Sequence, residues 1–455
     1  MAMLGKRRSV TAKKTASQRH SGPDTPPANG RAGVEVTRLA HDGRGVARNA
    51  EGKTLFIDRA LPGERVDIAV HRNRKRYEEA HVREWLVTSR ERVEPVCPHY
   101  ERCGGCDLQH LSLSAQRRHK RSVLVDQLAR QGLSLPGEPI VLAGEGVGYR
   151  RRARLGGKVD SQGRVHLGFR ERNSRHLIDI DSCPVLLPAL ETLLPSLREC
   201  LERLRSPRLV GHVELVAGSE QAVGVIRQLR DDTLDWQRWQ TWASAHDVAL
   251  ARLIGRDAPR LEWFGTAPDL GYTLKSGDRH LRLSFLPGDF LQVNAEINQQ
   301  MVSLALDWSQ PAVTDRVLDL FAGVGNFTLA LAPHVAEVIG IEGSPDMVTR
   351  LQDNARGNGL HNVEARQADL GQAPALEPLP DLVVLDPPRD GAEAVCRGLA
   401  RSKVSRILYV SCDPATLARD AAHLVHAGYR ITRAAVADMF VQTAHLESML
   451  LFERG

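Results

Sequence analysis

Val317-Leu318-Asp319-Leu320-Phe321-Ala322-Gly323-Val324-Gly325-Asn326 is the stretch from which the fold can be read. Its first five residues are apolar apart from one aspartate, as in a buried strand. Two glycines then allow a tight turn into Phe327-Thr328-Leu329-Ala330-Leu331, read as a helix. Residues Val335 to Ile341 give a second strand ending at Glu342, nineteen residues after Gly323. Glycines let a nucleotide-like ligand approach the main chain, and a carboxylate closing the second strand can accept from both ribose hydroxyls. A lone Gly-x-Gly is a weak signal. Position 328, where a dinucleotide fingerprint has its third glycine, is threonine, which speaks for a cofactor without a pyrophosphate.

Working outward, Val363 to Ala368 is a third strand ending at Asp369, placed to meet an adenine. Leu382 to Leu385 is a fourth and runs into Asp386-Pro387-Pro388-Arg389. A fifth, Arg406-Ile407-Leu408-Tyr409-Val410, runs into Ser411-Cys412-Asp413-Pro414, where Pro414 cannot continue a ladder. Open α/β sheets bind ligands beyond the carboxyl ends of their strands. Glu342, Asp369, Asp386 and Cys412 are therefore expected on one rim. Taken alone, Cys412 reads equally well as a small buried hydrophobe.

The chain has 455 residues, enough for about three domains of ordinary size. Apolar residues make up 42% and charged residues 25%, which excludes a disordered or fibrous protein. No apolar run approaches the roughly 20 residues that span a bilayer, and no apolar segment follows the N-terminal basic residues as a secretory signal requires. Seven cysteines, an odd number in a long chain, argue for a reducing compartment, the cytoplasm, and for ligands or nucleophiles over a disulfide framework. The net charge is only +6, but the positive charge is clustered. Residues 1–30 hold six Lys or Arg against Asp24 and are expected to form a flexible basic tail. Further clusters stand at Arg72–Arg76, Arg117–Arg121 and Arg150–Arg154, and their confinement to the N-terminal third favours a polyanion partner.

Residues 31–88 read as short strands at roughly ten-residue spacing, including Thr54–Ile57 and Glu64–Val70, a pattern expected of a small β-barrel. Then come Cys97, Cys103 and Cys106, with Cys183-Pro184 far downstream. Cys103-Gly104-Gly105-Cys106 alone fits a redox pair or half a zinc site, and four thiolates fit either zinc or an iron–sulfur cluster. Residues 112–132 read as an amphipathic helix with a cationic face. The remainder of 89–285 alternates strand-like and helix-like pieces without strong motifs, and 110–141 is expected to be able to pack with the C-terminal domain, 286–455.

Two more motifs frame the last domain: Phe290-Leu291-Gln292-Val293-Asn294 just before the sheet, and His445-Leu446-Glu447-Ser448 at its last strand. Asp319–Phe327 resembles motif I of class I S-adenosylmethionine-dependent methyltransferases. With the Asp386–Arg389 and Ser411–Pro414 motifs, these resemble the full signature of the uracil-5 RNA methyltransferase family, over nearly the whole chain. The stretch Leu39–Ala47 with Ala60–Glu64 resembles a TRAM domain, an OB-like RNA-binding barrel. The Cys-Gly-Gly-Cys-Asp-Leu-Gln-His run with the distant Cys-Pro resembles the 4Fe–4S site of a subgroup of the family.

The resemblance implies a multidomain fold: an N-terminal TRAM barrel, a central α+β iron–sulfur domain held by Cys97, Cys103, Cys106 and Cys183, and a C-terminal Rossmann-like α/β methyltransferase domain. It implies cofactor contacts from Gln292, Phe321, Asn326, Glu342, Asp369 and Asp386, with Phe290 able to stack on a base. It also implies catalysis by Cys412 and Glu447. The domain order is similar to that of the family member acting on 23S ribosomal RNA; the transfer RNA relative lacks both barrel and cluster. The substrate uridine is expected to be single-stranded or flipped out. Nothing in the sequence calls for a membrane or an obligate protein partner.

These residue types suit the chemistry. Carbon 5 of uracil is a poor nucleophile until a thiolate adds to carbon 6, and the carbon 5 proton must later leave to a base. Two other readings remain: a methyltransferase directed at an exocyclic nitrogen, in which an Asp-Pro-Pro motif needs no cysteine, and a non-catalytic RNA-binding assembly factor.

Overall fold

The computed structural model of the protein describes residues 33–218, 221–255 and 259–454. The expected basic tail, residues 1–30, lies outside them.

The first sheet has six strands in the order Val34–Glu35, Arg65–Asn73, Tyr77–Val87, Thr54–Asp58, Gly45–Arg48 and Arg38–Leu39. Val34–Glu35 and Arg38–Leu39 stand at opposite edges, yet only two residues separate them. The sheet must therefore close on itself, and the Thr37 N–H seals it on the Val46 carbonyl (2.9 Å). Alternate residues of Thr54–Asp58 point inward, so Leu55 and Ile57 meet Val36, Ala47, Val66 and Ala80 in the barrel's core.

A second, seven-stranded sheet covers residues 152–263. The helices Leu194–Glu202 and Thr233–Ala245 back it, with Leu197, Leu215 and Trp239 in its core.

The third sheet positions the site. Its eight strands run Val363–Gln367, Glu337–Glu342, Arg316–Leu320, Leu382–Leu385, Arg406–Ser411, Glu447–Arg454, Tyr429–Ala437 and Ile140–Leu142. The first five are parallel; Glu447–Arg454 is antiparallel to both of its neighbours. The edge strand Ile140–Leu142 comes from before the central sheet, pairing Ile140 with Ala435. So does the helix Leu113–Arg130, capped by the Ser112 side chain, whose Val123, Leu124 and Leu128 share a core with Leu417, Leu424 and Leu450. The segment around 113–142 is thus packed into the C-terminal sheet across more than 300 intervening residues, as Gln116 bonding Gln442 shows. Among the described residues, no helix is long and apolar enough to cross a membrane.

Two of the basic clusters are structural. Lys120 is fully buried and donates to Asp438 Oδ1 (2.7 Å) and to the Phe440 carbonyl (2.9 Å), while Arg117 takes Asp438 Oδ2 (3.1 Å). Arg151 is buried too, with its Nε on the Gln292 carbonyl (2.7 Å), and Arg152 pairs with Glu214 (2.5 Å). The clusters expected to favour a polyanion partner are turned inward at these positions, because an interior carboxylate or carbonyl claims each charge. Arg72–Arg76, by contrast, is exposed.

Glu64 ties the barrel to the chain that leaves it. It is fully buried, accepts from the N–H groups of Leu61 (2.8 Å) and Ser89 (3.2 Å), and pairs with Arg92 (2.6 Å). Burial alone would raise its carboxyl, but Arg92 and these N–H donors outweigh that and hold it below the usual carboxylate range. A depressed folded-state value gives stability that is present above the ordinary pKa and is lost as pH falls through the lower one. Glu64→Gln is expected to lower stability by about 3 kcal/mol at pH 7, the scale for breaking a buried pair. In urea titrations the deficit should shrink towards pH 3; an equal deficit at both pH values would contradict this.

Candidate active site at the strand ends

The carboxyl ends of the five parallel strands form one rim. After Arg316–Leu320 comes Phe321, whose φ of 64° is unusual for a bulky side chain. Gly323 follows at φ 56° with open space where a Cβ would stand, and Gly325 at φ 103°, where a Cβ would strike Leu329 at 2.3 Å. The loop therefore needs glycine at both places and bares its backbone at Gly323. Glu342, closing the next strand, accepts the Gly323 N–H (3.0 Å) and the Ser344 N–H (2.9 Å), which leaves lone pairs on both oxygens for a ligand. Asp369 lies exposed beyond the third strand and accepts from the Gly371 N–H (2.9 Å).

Asn326 opens the helix and exchanges two amide hydrogen bonds with Asn298 (2.9 and 3.0 Å), and Tyr272 Oη also donates to it (3.2 Å). Gln292 is buried on the segment held by Arg151, whose N–H also donates to the Val293 carbonyl (3.0 Å). Phe290, two residues before it, is 62% exposed, unusual for a phenylalanine.

Asp386, Cys412 and Glu447 come together at the centre of the sheet. The antiparallel strand Glu447–Arg454 pairs Ser448 with Ser411, so one step further along that register Cys412 faces Glu447. Burial, then Glu447, then Asp386 push the Cys412 thiol up to about 11, with Arg389 pulling the other way. Glu447 is almost fully buried and lifted well above the usual carboxylate range by burial and then by Asp386, again opposed by Arg389. Asp386 is pushed up to about 7 by burial and then by Asp319. Behind Cys412, Asp413 caps the helix Pro414–His426 by accepting from the N–H groups of Ala415 and Thr416 (2.9 Å each), which fixes the loop.

Two residues of this site received no role from sequence. Asp319 is buried, takes the Thr328 hydroxyl on one oxygen, and has its other oxygen without a partner; burial raises it to about 7. A lone acid in the apolar run Val317–Phe321 was the available signal, since structural strands do not bury an unpaired carboxylate. Arg389 had only its place in a motif, and nothing local tells that its charge reaches Cys412 and Glu447.

The four free cysteines of the central region, Cys97, Cys103, Cys106 and Cys183, lie near enough for their sulfurs to influence one another. The thiols of Cys106 and Cys183 are raised to about 12 by burial and then by the other sulfurs of the group. Cys97 receives the N–H groups of His99 and Tyr100, Cys103 that of Gly105 (3.4 Å), and Cys183 that of Val185. Among the described residues, no group of three or more His, Cys, Asp or Glu is placed to hold a metal ion.

Between barrel and central sheet lies a groove of about 1630 Å³ that Arg72, Arg154, Lys158, Arg170, Arg172 and Arg175 line, with Gly104 and Gly105 of the cysteine loop in its wall. Small-molecule pockets are about 300–1000 Å³. The groove is larger than these, and its cations outnumber the carboxylates Asp42, Asp58, Glu79, Asp107 and Glu171 that also line it.

A thiol held near 11 is scarcely ionised at neutral pH. Iodoacetamide is expected to label Cys412 at pH 7.5 about a hundredfold more slowly than a free cysteine of pKa near 8.5, as peptide mapping by mass spectrometry would show. Labelling as fast as a free thiol would contradict the crowding by Glu447 and Asp386.

Comparison with known proteins agrees with this geometry. The model of the tRNA (uracil-5-)-methyltransferase family matches residues 115–370 and 379–455, and that of the TRAM domain matches residues 32–82. The chain is 59% identical to the 23S rRNA (uracil(1939)-C(5))-methyltransferase RlmD of Chromohalobacter salexigens, with 100% of this chain and 96% of the relative covered. It is 54% identical to the protein of the same name from Halomonas elongata, covering 100% and 97%. Among solved structures it resembles the Pyrococcus abyssi tRNA (uracil-54, C5)-methyltransferase in complex with S-adenosyl-L-homocysteine. There the TM-score is 0.72 at 23% identity, over 92% of this chain and 99% of that one, which is a likeness of fold. The chain belongs to the tRNA (uracil-5-)-methyltransferase family.

Proposed function

We propose that the protein transfers a methyl group from S-adenosylmethionine to carbon 5 of a uridine in 23S ribosomal RNA, uracil 1939 as in the relatives named for it. The observation that carries this is the register placing Cys412 opposite Glu447 at the ligand-binding rim.

The cofactor supplies the methyl group and a positive charge. Glu342 would accept from its ribose hydroxyls, Asp369 meet its adenine, the Phe321 backbone, Gln292 and Asn326 line its path, and Asp386 stand between cofactor and uracil edge. The open Cβ space at Gly323 and the free lone pairs of Glu342 fit such a ligand. The Cys412 thiol gives its proton to solvent, and its thiolate adds to carbon 6 of the uracil. The ring's carbon 5–carbon 6 π pair shifts towards carbon 5 and the adjoining carbonyl, which makes carbon 5 electron-rich. After carbon 5 has gained its methyl, Glu447 takes the proton left there. The electron pair of that C–H bond reforms the ring double bond and expels the sulfur. Once ionised, a carboxyl lifted by burial is a stronger base than an exposed one.

The phosphates on either side of the target belong in the groove between barrel and central sheet, with Phe290 exposed to stack on a displaced base. Cys97, Cys103, Cys106 and Cys183 would hold a 4Fe–4S cluster, supported by the donor set and the N–H groups turned to the sulfurs. Free thiols and an RNA substrate support a cytoplasmic location.

Cys412→Ala is expected to keep cofactor binding and lose methyl transfer to RNA from cells lacking the enzyme; turnover within about tenfold of wild type would remove Cys412 from the mechanism. Glu447→Gln should accumulate a denaturant-resistant protein–RNA adduct, and a denaturing gel without it would move the base elsewhere. Anaerobically purified protein should be brown and lose its colour in Cys183→Ser, whereas stoichiometric zinc without visible absorption would overturn the cluster.

A further inference from the structure

Glu447 begins its strand, so its position depends on residues 438–446 that lead into it. These do not belong to the sheet, and the bonds that hold them come from far away in sequence. Asp438 accepts from Lys120 (2.7 Å) and Arg117 (3.1 Å), and its N–H donates to the Leu142 carbonyl (2.9 Å). The Phe440 carbonyl accepts from Lys120 (2.9 Å) and the Val441 carbonyl from Tyr149 Oη (2.8 Å). The Gln442 carbonyl accepts from both the Asp107 and Leu108 N–H groups (2.9 Å each), next to Cys106. Gln116, fully buried, donates to Gln442 Oε1 (2.9 Å) and accepts from the Gln442 N–H (3.1 Å). The Ala444 N–H reaches Asp107 Oδ2 (3.4 Å). Gln442 has a φ of 68°, a conformation a glutamine adopts only when its surroundings dictate it.

This is more anchoring than the end of a β-strand needs. Tyr149 also packs with Val441 beside Cys106 and Cys183, so the cysteine loop and the leader to Glu447 form one buried unit. We propose that residues 438–446 are a strap, fastened by Gln116, Tyr149 and the cysteine loop at Asp107–Leu108, that positions Glu447 for removal of the carbon 5 proton. Gln116 and Tyr149 are then positioning residues for that single step. Both are buried, and both bond to the strap. This rests on the reading of Cys412 and Glu447 given above.

Loosening the strap should leave attack by Cys412 and methyl transfer intact and slow only the proton step, so the adduct persists. The test uses the full chain with S-adenosylmethionine and substrate RNA, in Gln116→Leu and Tyr149→Phe. Expected is a rise of about tenfold or more in denaturant-resistant adduct per methylated product, with cofactor affinity within about twofold of wild type. General folding damage would lower adduct and product together, and that result, or an unchanged ratio, would overturn the inference. Tyr149→Phe removes one hydroxyl and decides the matter if Gln116→Leu fails to fold. Glu447→Gln run alongside separates the two levels. If it traps no adduct, the base assignment itself has failed; if it traps adduct while the strap variants do not, only the strap is wrong.

Discussion

The structure depends on one strand running the wrong way. In a wholly parallel sheet, the residue opposite Cys412 would sit at another strand's carboxyl end. Because Glu447–Arg454 runs antiparallel beside Arg406–Ser411, the beginning of one strand meets the end of the other. A thiol and a carboxyl are thereby held side by side at the place where such sheets bind ligands, on rigid backbone.

That closeness has an electrostatic cost that the fold leaves standing. Asp319, Asp386 and Glu447 are three acids in a poorly solvated site, and each raises the next. Arg389 offsets part of this for Glu447 and Cys412. A site with surplus negative character is complementary to a cationic sulfonium, and acids raised towards neutrality can exchange protons at physiological pH. The same crowding favours the protonated form of Cys412.

The parallel half of the sheet was legible because each strand is a short apolar run ended by a polar residue, such as Glu342 or Asp386. Its ranges agree with the observed Arg316–Leu320, Glu337–Glu342 and Leu382–Leu385 to within about two residues. The barrel showed through its alternation and spacing. Basic clusters misled where they were used inside: Lys120 and Arg151 look like their exposed neighbours, and their partners Asp438 and Gln292 lie 318 and 141 residues away. The expectation that 110–141 could pack with the C-terminal domain did not extend to a strand at Ile140–Leu142, because its partner Ala435 lies far downstream. Glu447 as a partner of Cys412 came from a motif; only the register explains why the motif stands where it does.

The proposed chemistry requires a bond between the Cys412 sulfur and carbon 6 of the target uracil. RNA carrying 5-fluorouridine at the target blocks release, because fluorine cannot leave carbon 5 as a proton does. After incubation with S-adenosylmethionine, digestion and mass spectrometry should find the peptide containing Cys412 joined to a methylated fluorouridine nucleotide. An unmodified Cys412 peptide beside RNA that has gained a methyl group would contradict it.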